Sequence, residues 1–253
     1  MSQFVIAGVI FVLLAAAALV TMNVQVKLRS HHLSEETNAV VRLVANIFVV
    51  MTSLVFGLMI NSAKTTFESI DHNTHAYATD LIVLNRTLRN YGPKADAARH
   101  QLTRYVEDAI RNPTRADDRL KQRPDLAGET LDGVGREISA IQPDDSYQAS
   151  LLVDVRQQYH RIVEQRWAII EQSEGNIPVP MIAMLTAWLV LIFASFGYRA
   201  PRNRVTVGTF VVSALLIAAS IYLTLDMTDP FAGPIQISDM PYRRALAEMN
   251  SGR

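Results

Sequence analysis

His72 and His75 stand three residues apart in the stretch DHNTH, with Asp71 adjacent, and this is the nearest the sequence comes to a metal-ligand spacing. Two imidazoles on one helical face can each offer zinc a nitrogen, but a working site needs a third ligand at fixed spacing, and the neighbourhood supplies none. We read the pair as solvent-facing and expect no metal. There is no glycine loop to cradle a phosphate, no Gly-x-Ser-x-Gly elbow and no His-Glu-x-x-His helix. The absence of cysteine excludes disulfides, thiolate metal sites and cysteine nucleophiles. No enzyme and no cofactor are expected.

Other residues carry a different chemistry. At about 100° per residue, Arg42, Asn46, Ser53, Gly57 and Lys64 fall within a helical stripe roughly 60° wide, with Asn61 at its edge. The segment that holds them is otherwise apolar. Polar side chains inside a membrane helix face a bundle interior or a water-filled path. A stripe that is polar in its middle and basic at both rims favours anions if several copies line a pore. The same residues have a second use, in which Ser53 and Gly57 let helices approach closely while Arg42 and Lys64 snorkel to the interfaces. A third group is the acidic pair Asp226 and Asp229, which follows an apolar run in LTLDMTDPFAG. A helix C-terminus already carries about half a negative charge, so carboxylates there call for a basic or amide partner or a bound cation. Lys64 and Asn61, close in depth, are the expected partners, with a cation as the second reading.

Four apolar segments must position these groups. They run from Phe4 to Val26, from about Leu43 to Ile60, from Met181 to Tyr198 and from Val205 to Leu225. Each matches a hydrocarbon core of about 30 Å, which takes roughly 20 helical residues, and lipid leaves a lone segment no alternative to helix. The first has no basic residue before it and is too long for the apolar core of a cleaved leader, so it reads as a retained helix. Lys27 and Arg29 follow the first span, and Arg199, Arg202 and Arg204 lie between the third and fourth. Basic residues in short connections stay cytoplasmic. This places the N-terminus, the long middle segment and the C-terminus outside the cytoplasm in a multi-pass cell-membrane protein.

The middle segment, 62–178, reads as helical. Phe67, Ile70, Thr74, Tyr77, Leu81, Leu84, Leu88 and Tyr91 recur at alternating spacings of three and four, a heptad seam. Nothing between Asn61 and Phe67 breaks a helix, so the second membrane helix is expected to continue into this stalk until Gly92 and Pro93 stop it. Helices are expected over 94–111, with Ala98, Leu102, Tyr105, Ala109 and Ile110 inward, and over 129–141, with Leu131, Val134, Ile138 and Ile141 inward and Gly133 and Gly135 weakening it. A last helix, capped by Asp145 or Ser146, buries Leu151, Val155, Ile162 and Ile169 up to Ser173. The charged loop 113–126 is the expected partner-facing part. A short helix over 242–249, with Asp239 as cap, closes the chain. The fold class is therefore all-α: four transmembrane helices with a helical-bundle domain inserted between the second and third. The divisions are 1–61, 62–178, 179–226 and 227–253.

The stretches LIVLNRTLRNYGPKA (81–95), Arg166 with Trp167, IPVPMIAMLTAWLVLIFASFGYRAPRN (177–203) and LDMTDPFAGPIQIS (225–238) together resemble the bestrophin-like membrane proteins of bacteria and plants. The resemblance implies kinship with bestrophins, pentameric anion channels with four membrane helices and a large helical domain. Bestrophins carry a dense acidic run after the last membrane helix that binds calcium. Only Asp226 and Asp229 stand here, so calcium gating is not carried over. Their helical domain is cytosolic, opposite to the side that the basic loops indicate. Two functions follow. One is a homo-oligomeric channel for anions, lined by the second membrane helix. The other is a membrane-anchored sensor or assembly protein whose helical domain binds a ligand or partner. The lipid bilayer is a partner in both, and balanced charge, 24 basic against 24 acidic side chains, gives no reason to expect nucleic acid.

Overall fold

The computed structural model describes residues 3–24, 35–111, 126–173, 177–198, 200–231 and 233–251. Among these the chain is all-helical, with eight α-helices: α1 (Gln3–Val24), α2 (Glu35–Tyr91), α3 (Asp96–Arg111), α4 (Leu126–Ala140), α5 (Ser146–Ser173), α6 (Val179–Gly197), α7 (Arg204–Asp226) and α8 (Met240–Ser251). Four of them, α1, α2, α6 and α7, are long and apolar enough to cross a membrane. The second membrane helix and the stalk are indeed one helix of 57 residues. Gly92 ends it at φ 99°, a backbone angle that glycine adopts without a side-chain penalty, and a 3₁₀ turn over Pro93–Ala95 leads into α3. Two compact units share the chain: Met1–Thr65 with Asn176–Thr228, and Thr66–Gly175 with Asp229–Arg253.

In the first unit α1 packs on α6 and α7. Its core holds Ile10, Leu14 and Ala18 of α1, Leu185, Leu189 and Phe193 of α6, and Ala214, Ala218, Ile221 and Leu225 of α7. The line of small residues along α7 is only partly inward. Ala214, Ala218 and Thr224 are buried, Ser213 is half-buried, and Ser220 is exposed, its hydroxyl donating to the Leu216 carbonyl at 2.9 Å. Small residues bring α1 and α6 together instead: a Cβ on Gly197 would collide with the Ala18 carbonyl and the Thr21 hydroxyl. Arg202, in the short connection before α7, donates to the Met22 and Asn23 carbonyls at 3.3 Å and to the Asn23 side chain at 2.5 Å. A guanidinium there satisfies carbonyls and offsets the negative end of α1. Asn203 then caps α7, accepting from the Thr206 amide at 2.7 Å.

The second unit is built on the seam of α2. Ile70, Thr74, Tyr77, Leu81, Leu84, Leu88 and Tyr91 are buried and Phe67 is half-buried. Against them lie Leu102, Tyr105 and Val106 of α3, Leu131, Val134 and Ile138 of α4, and Val155 and Ile162 of α5. Each fully buried leucine contributes about 1.5–3 kcal/mol by leaving water. Gly133 and Gly135, expected to weaken α4, are contact points: a Cβ at Gly133 would meet Gln101 of α3, and one at Gly135 would meet the Tyr159 hydroxyl of α5. At the start of α5 the cap is Asp145, which accepts from the Gln148 amide at 2.7 Å. Leu152 is buried on that helix where Leu151 was expected, and Leu151 is half-buried. The tail joins this unit through α8, which packs on α3 and buries Ala245 and Met249.

Candidate functional site

The membrane stretch of α2 buries a narrow seam: Ala45, Thr52, Met59 and Ala63. Phe48 meets Trp188 of α6 with ring centroids 6.5 Å apart. Arg42, Asn46, Ser53, Gly57, Asn61 and Lys64 are all exposed. By helical geometry their stripe is centred about 110° round from the buried seam. Ser53 donates to the Val49 carbonyl at 2.8 Å, which leaves its oxygen able to accept. A Cβ at Gly57 would meet nothing within 4 Å, so no other helix among the described residues approaches there. Over 43–60 the rest of the exposed surface is apolar, including Leu43, Ile47, Val50, Leu54 and Leu58.

At the end of α7, Asp226 is 1% exposed and Asp229 is half-buried. Both interact with other groups, as do Lys64 and Glu68. The Met227 amide bonds to the Leu223 carbonyl at 3.2 Å and the Thr228 hydroxyl to the Leu225 carbonyl at 2.6 Å, so the turn satisfies part of the helix end. Beyond it, the Ile237 amide reaches the Pro230 carbonyl at 2.9 Å and turns the tail back. Asp239 stands before α8, as expected of a cap, but its carboxylate is directed at Arg243, 2.7 Å away, and the Ser238 hydroxyl accepts from the Met240 amide at 3.2 Å.

His72 and His75 are exposed, and His75 bonds to the Asp71 carbonyl at 2.9 Å. Among the described residues no cluster of three metal-ligating side chains occurs. His31, His32 and nearly all of the loop 113–126 lie outside the described residues.

Sequence reasoning missed a cavity in the second unit. It has a volume of about 540 Å³ and is lined by Thr74 and Tyr77 of α2, Tyr105 of α3, Arg166 of α5 and Tyr242 of α8, among others. Arg166 is only 6% exposed. The Tyr77 and Tyr105 hydroxyls are hydrogen-bonded to each other. Burial pushes the Tyr77 hydroxyl well above the usual phenol range, with the neighbouring Tyr105 and Tyr242 adding to it and Arg166 opposing it. Burial raises Tyr242 as well, with the same opposition from Arg166. Both hydroxyls are protonated at neutral pH, as an unperturbed phenol would be. A signal was present. Thr74 and Tyr77 interrupt a leucine seam, and Arg166 falls four residues after Ile162 on the buried stripe of α5.

A family model described as a Bestrophin-like domain matches residues 12–242, nearly the whole chain. No curated protein and no solved structure matches it.

Proposed function

We propose, from the premise that this chain belongs to the bestrophin-like family, that it assembles into a homo-oligomer in the membrane and conducts anions along a path lined by α2. The observation that carries this reading is the exposed stripe of Asn46, Ser53, Gly57 and Asn61, which runs along a stretch of α2, 43–60, whose other exposed residues are apolar. Lipid offers amides no hydrogen-bond partner, so such a stripe calls for water or a second copy. Arg42 and Lys64 at its two ends give a positive potential at both mouths, which concentrates anions and repels cations. The open space around Gly57 favours this over close packing within the chain, because among the described residues no neighbouring helix makes use of the missing side chain. The basic connections put the helical segment 62–178 and both termini outside the cytoplasm.

Asp226 acts in this reading as a structural anchor at the end of α7, with a bound cation as its alternative. Its burial supports such a role, since a carboxylate removed from water needs a compensating group. Asp226→Asn should lower the thermal midpoint of the assembled protein. Unchanged assembly, midpoint and cation response would remove both roles.

The chain has no cysteine, so single cysteines can be introduced without a background. Cysteines at positions 46, 53 and 57 should react with a membrane-impermeant thiol reagent, whereas cysteines at Ile47 and Leu58 should not. Equal protection at all five positions would sink the proposal. In that case the alternative of a membrane-anchored sensor or assembly protein gains, since a ligand- or partner-binding helical unit needs no water path along α2.

A further inference from the structure

We propose that the cavity in the helical unit binds a small organic monocarboxylate with an apolar tail, its head group held by Arg166 and the hydroxyls of Tyr77, Tyr105 and Tyr242. This inference does not depend on conduction and stands or falls separately from it.

Protein interiors pack with few voids larger than a water molecule, and the neighbouring core obeys that rule: Leu81, Leu84, Leu88, Leu102 and Val155 are wholly buried. One level along α2 the packing opens into about 540 Å³. Pockets of this volume accept small organic ligands. The residues at the opening change kind together. The seam of α2 passes from leucines to Tyr77 and Thr74, α5 passes from Val155 and Ile162 to Arg166, and Tyr242 comes from the tail. A guanidinium is among the costliest groups to bury, and a carboxylate is the partner its planar fork matches. Its five donors allow it to hold a partner within the protein and a ligand oxygen together.

Gln236 and Ser238 add polar groups at the tail, and the rest of the wall holds an apolar face of Ile110, Ile169, Ile170, Phe231 and Ile237. An inorganic anion would leave that wall against water, whereas an alkyl or aryl tail would cover it. Asp239 also lines the cavity, but its carboxylate is paired with Arg243, and the hydrogen bond and charge from Arg243 hold its pKa below the usual carboxylate range. An incoming carboxylate therefore meets a neutralised pair there. The phenols add donors. Neutral phenols do not repel a carboxylate, and the Tyr242 hydroxyl, together with whichever of the paired Tyr77 and Tyr105 hydroxyls is the acceptor in their mutual bond, can donate to it.

The test is isothermal titration of the full chain in lipid nanodiscs with sodium octanoate, alongside octanol, sodium chloride and empty nanodiscs. Saturable binding of octanoate that octanol and chloride fail to reproduce is expected. Arg166→Gln should weaken it at least about ten-fold, the effect of removing a charged hydrogen-bond donor. Tyr242→Phe should weaken it about three-fold or more on the same ground. Should Arg166→Gln fail to fold, Gln236→Trp decides, because it places bulk on an exposed lining residue and should block octanoate while leaving the thermal midpoint unchanged. The proposal is overturned if octanoate does not bind beyond the empty disc, if octanol or chloride binds equally well, or if binding survives in a folded Arg166→Gln or Gln236→Trp protein.

Discussion

The two units place their polar side chains in opposite ways. Where α2 belongs to the membrane unit, it buries Ala45, Thr52, Met59 and Ala63 and turns Asn46, Ser53 and Asn61 outward. Where it belongs to the helical unit, it buries Thr74, Tyr77, Asn85 and Tyr91 among leucines, and α5 adds an arginine. In water, exposing leucine is unfavourable and burying a guanidinium costs several kcal/mol, so a buried Arg166 points to something that compensates it. In lipid, exposing leucine is neutral and exposing an asparagine is unfavourable. An informative residue is thus one that stands against the preference of its own solvent: Arg166 inside one unit, the Asn46 stripe outside the other.

The contrast can be broken most directly by trimming leucines on one helix. Leu84→Ala, at a position with no exposure, should cost about 2–5 kcal/mol of stability, whereas Leu58→Ala, at a position 60% exposed, should change it by less than about 0.5 kcal/mol. Thermal unfolding of both variants in the same detergent measures the pair, and equal losses would show that α2 is packed alike in both halves. Gly197→Ala tests whether small residues hold the membrane unit. Its new methyl group would overlap the Ala18 carbonyl, and overpacking of this kind costs about 1–3 kcal/mol. A neutral result would mean that α1 and α6 separate easily.

Tyr77→Phe tests the polar interior. Its loss removes one member of the Tyr77–Tyr105 hydrogen bond and should cost about 1 kcal/mol in the melt, with tyrosine fluorescence following the change. The smallest effect is expected from pH. Arg86 lies 2.5 Å from Glu248 on α8 and holds its carboxyl below the usual range, chiefly through that hydrogen bond. A depressed carboxylate stabilises the fold above its ordinary pKa and loses that contribution as pH falls through the folded value. Arg86→Gln should therefore flatten the decline of the melting midpoint in the acid range slightly, and no more, because both groups are solvated.

The fold was legible where one rule decided. Charge-free runs gave the membrane helices, a spacing of three and four gave the seam of α2, and Gly92 with Pro93 gave its end. Legibility failed where two helices had to be known at once. Gly133 and Gly135 look like weak helix formers until Gln101 and Tyr159 are seen beside them. Arg166 is one of several charged side chains along α5 in sequence, and only the packing of α2, α3 and the tail turns it into the wall of a cavity. The stripe of α2 was readable because it needs one helix alone. Whether water runs along it depends on neighbouring copies, which no single chain encodes locally.

The central claim is tested by chloride flux from liposomes that hold the purified protein, compared with Ser53→Trp. Ser53 is exposed, so the substitution should leave folding and assembly intact. The account predicts chloride flux from the wild-type protein and its loss in the variant at equal assembly. A wild-type assembly that passes no chloride, or a variant that passes as much, would contradict it.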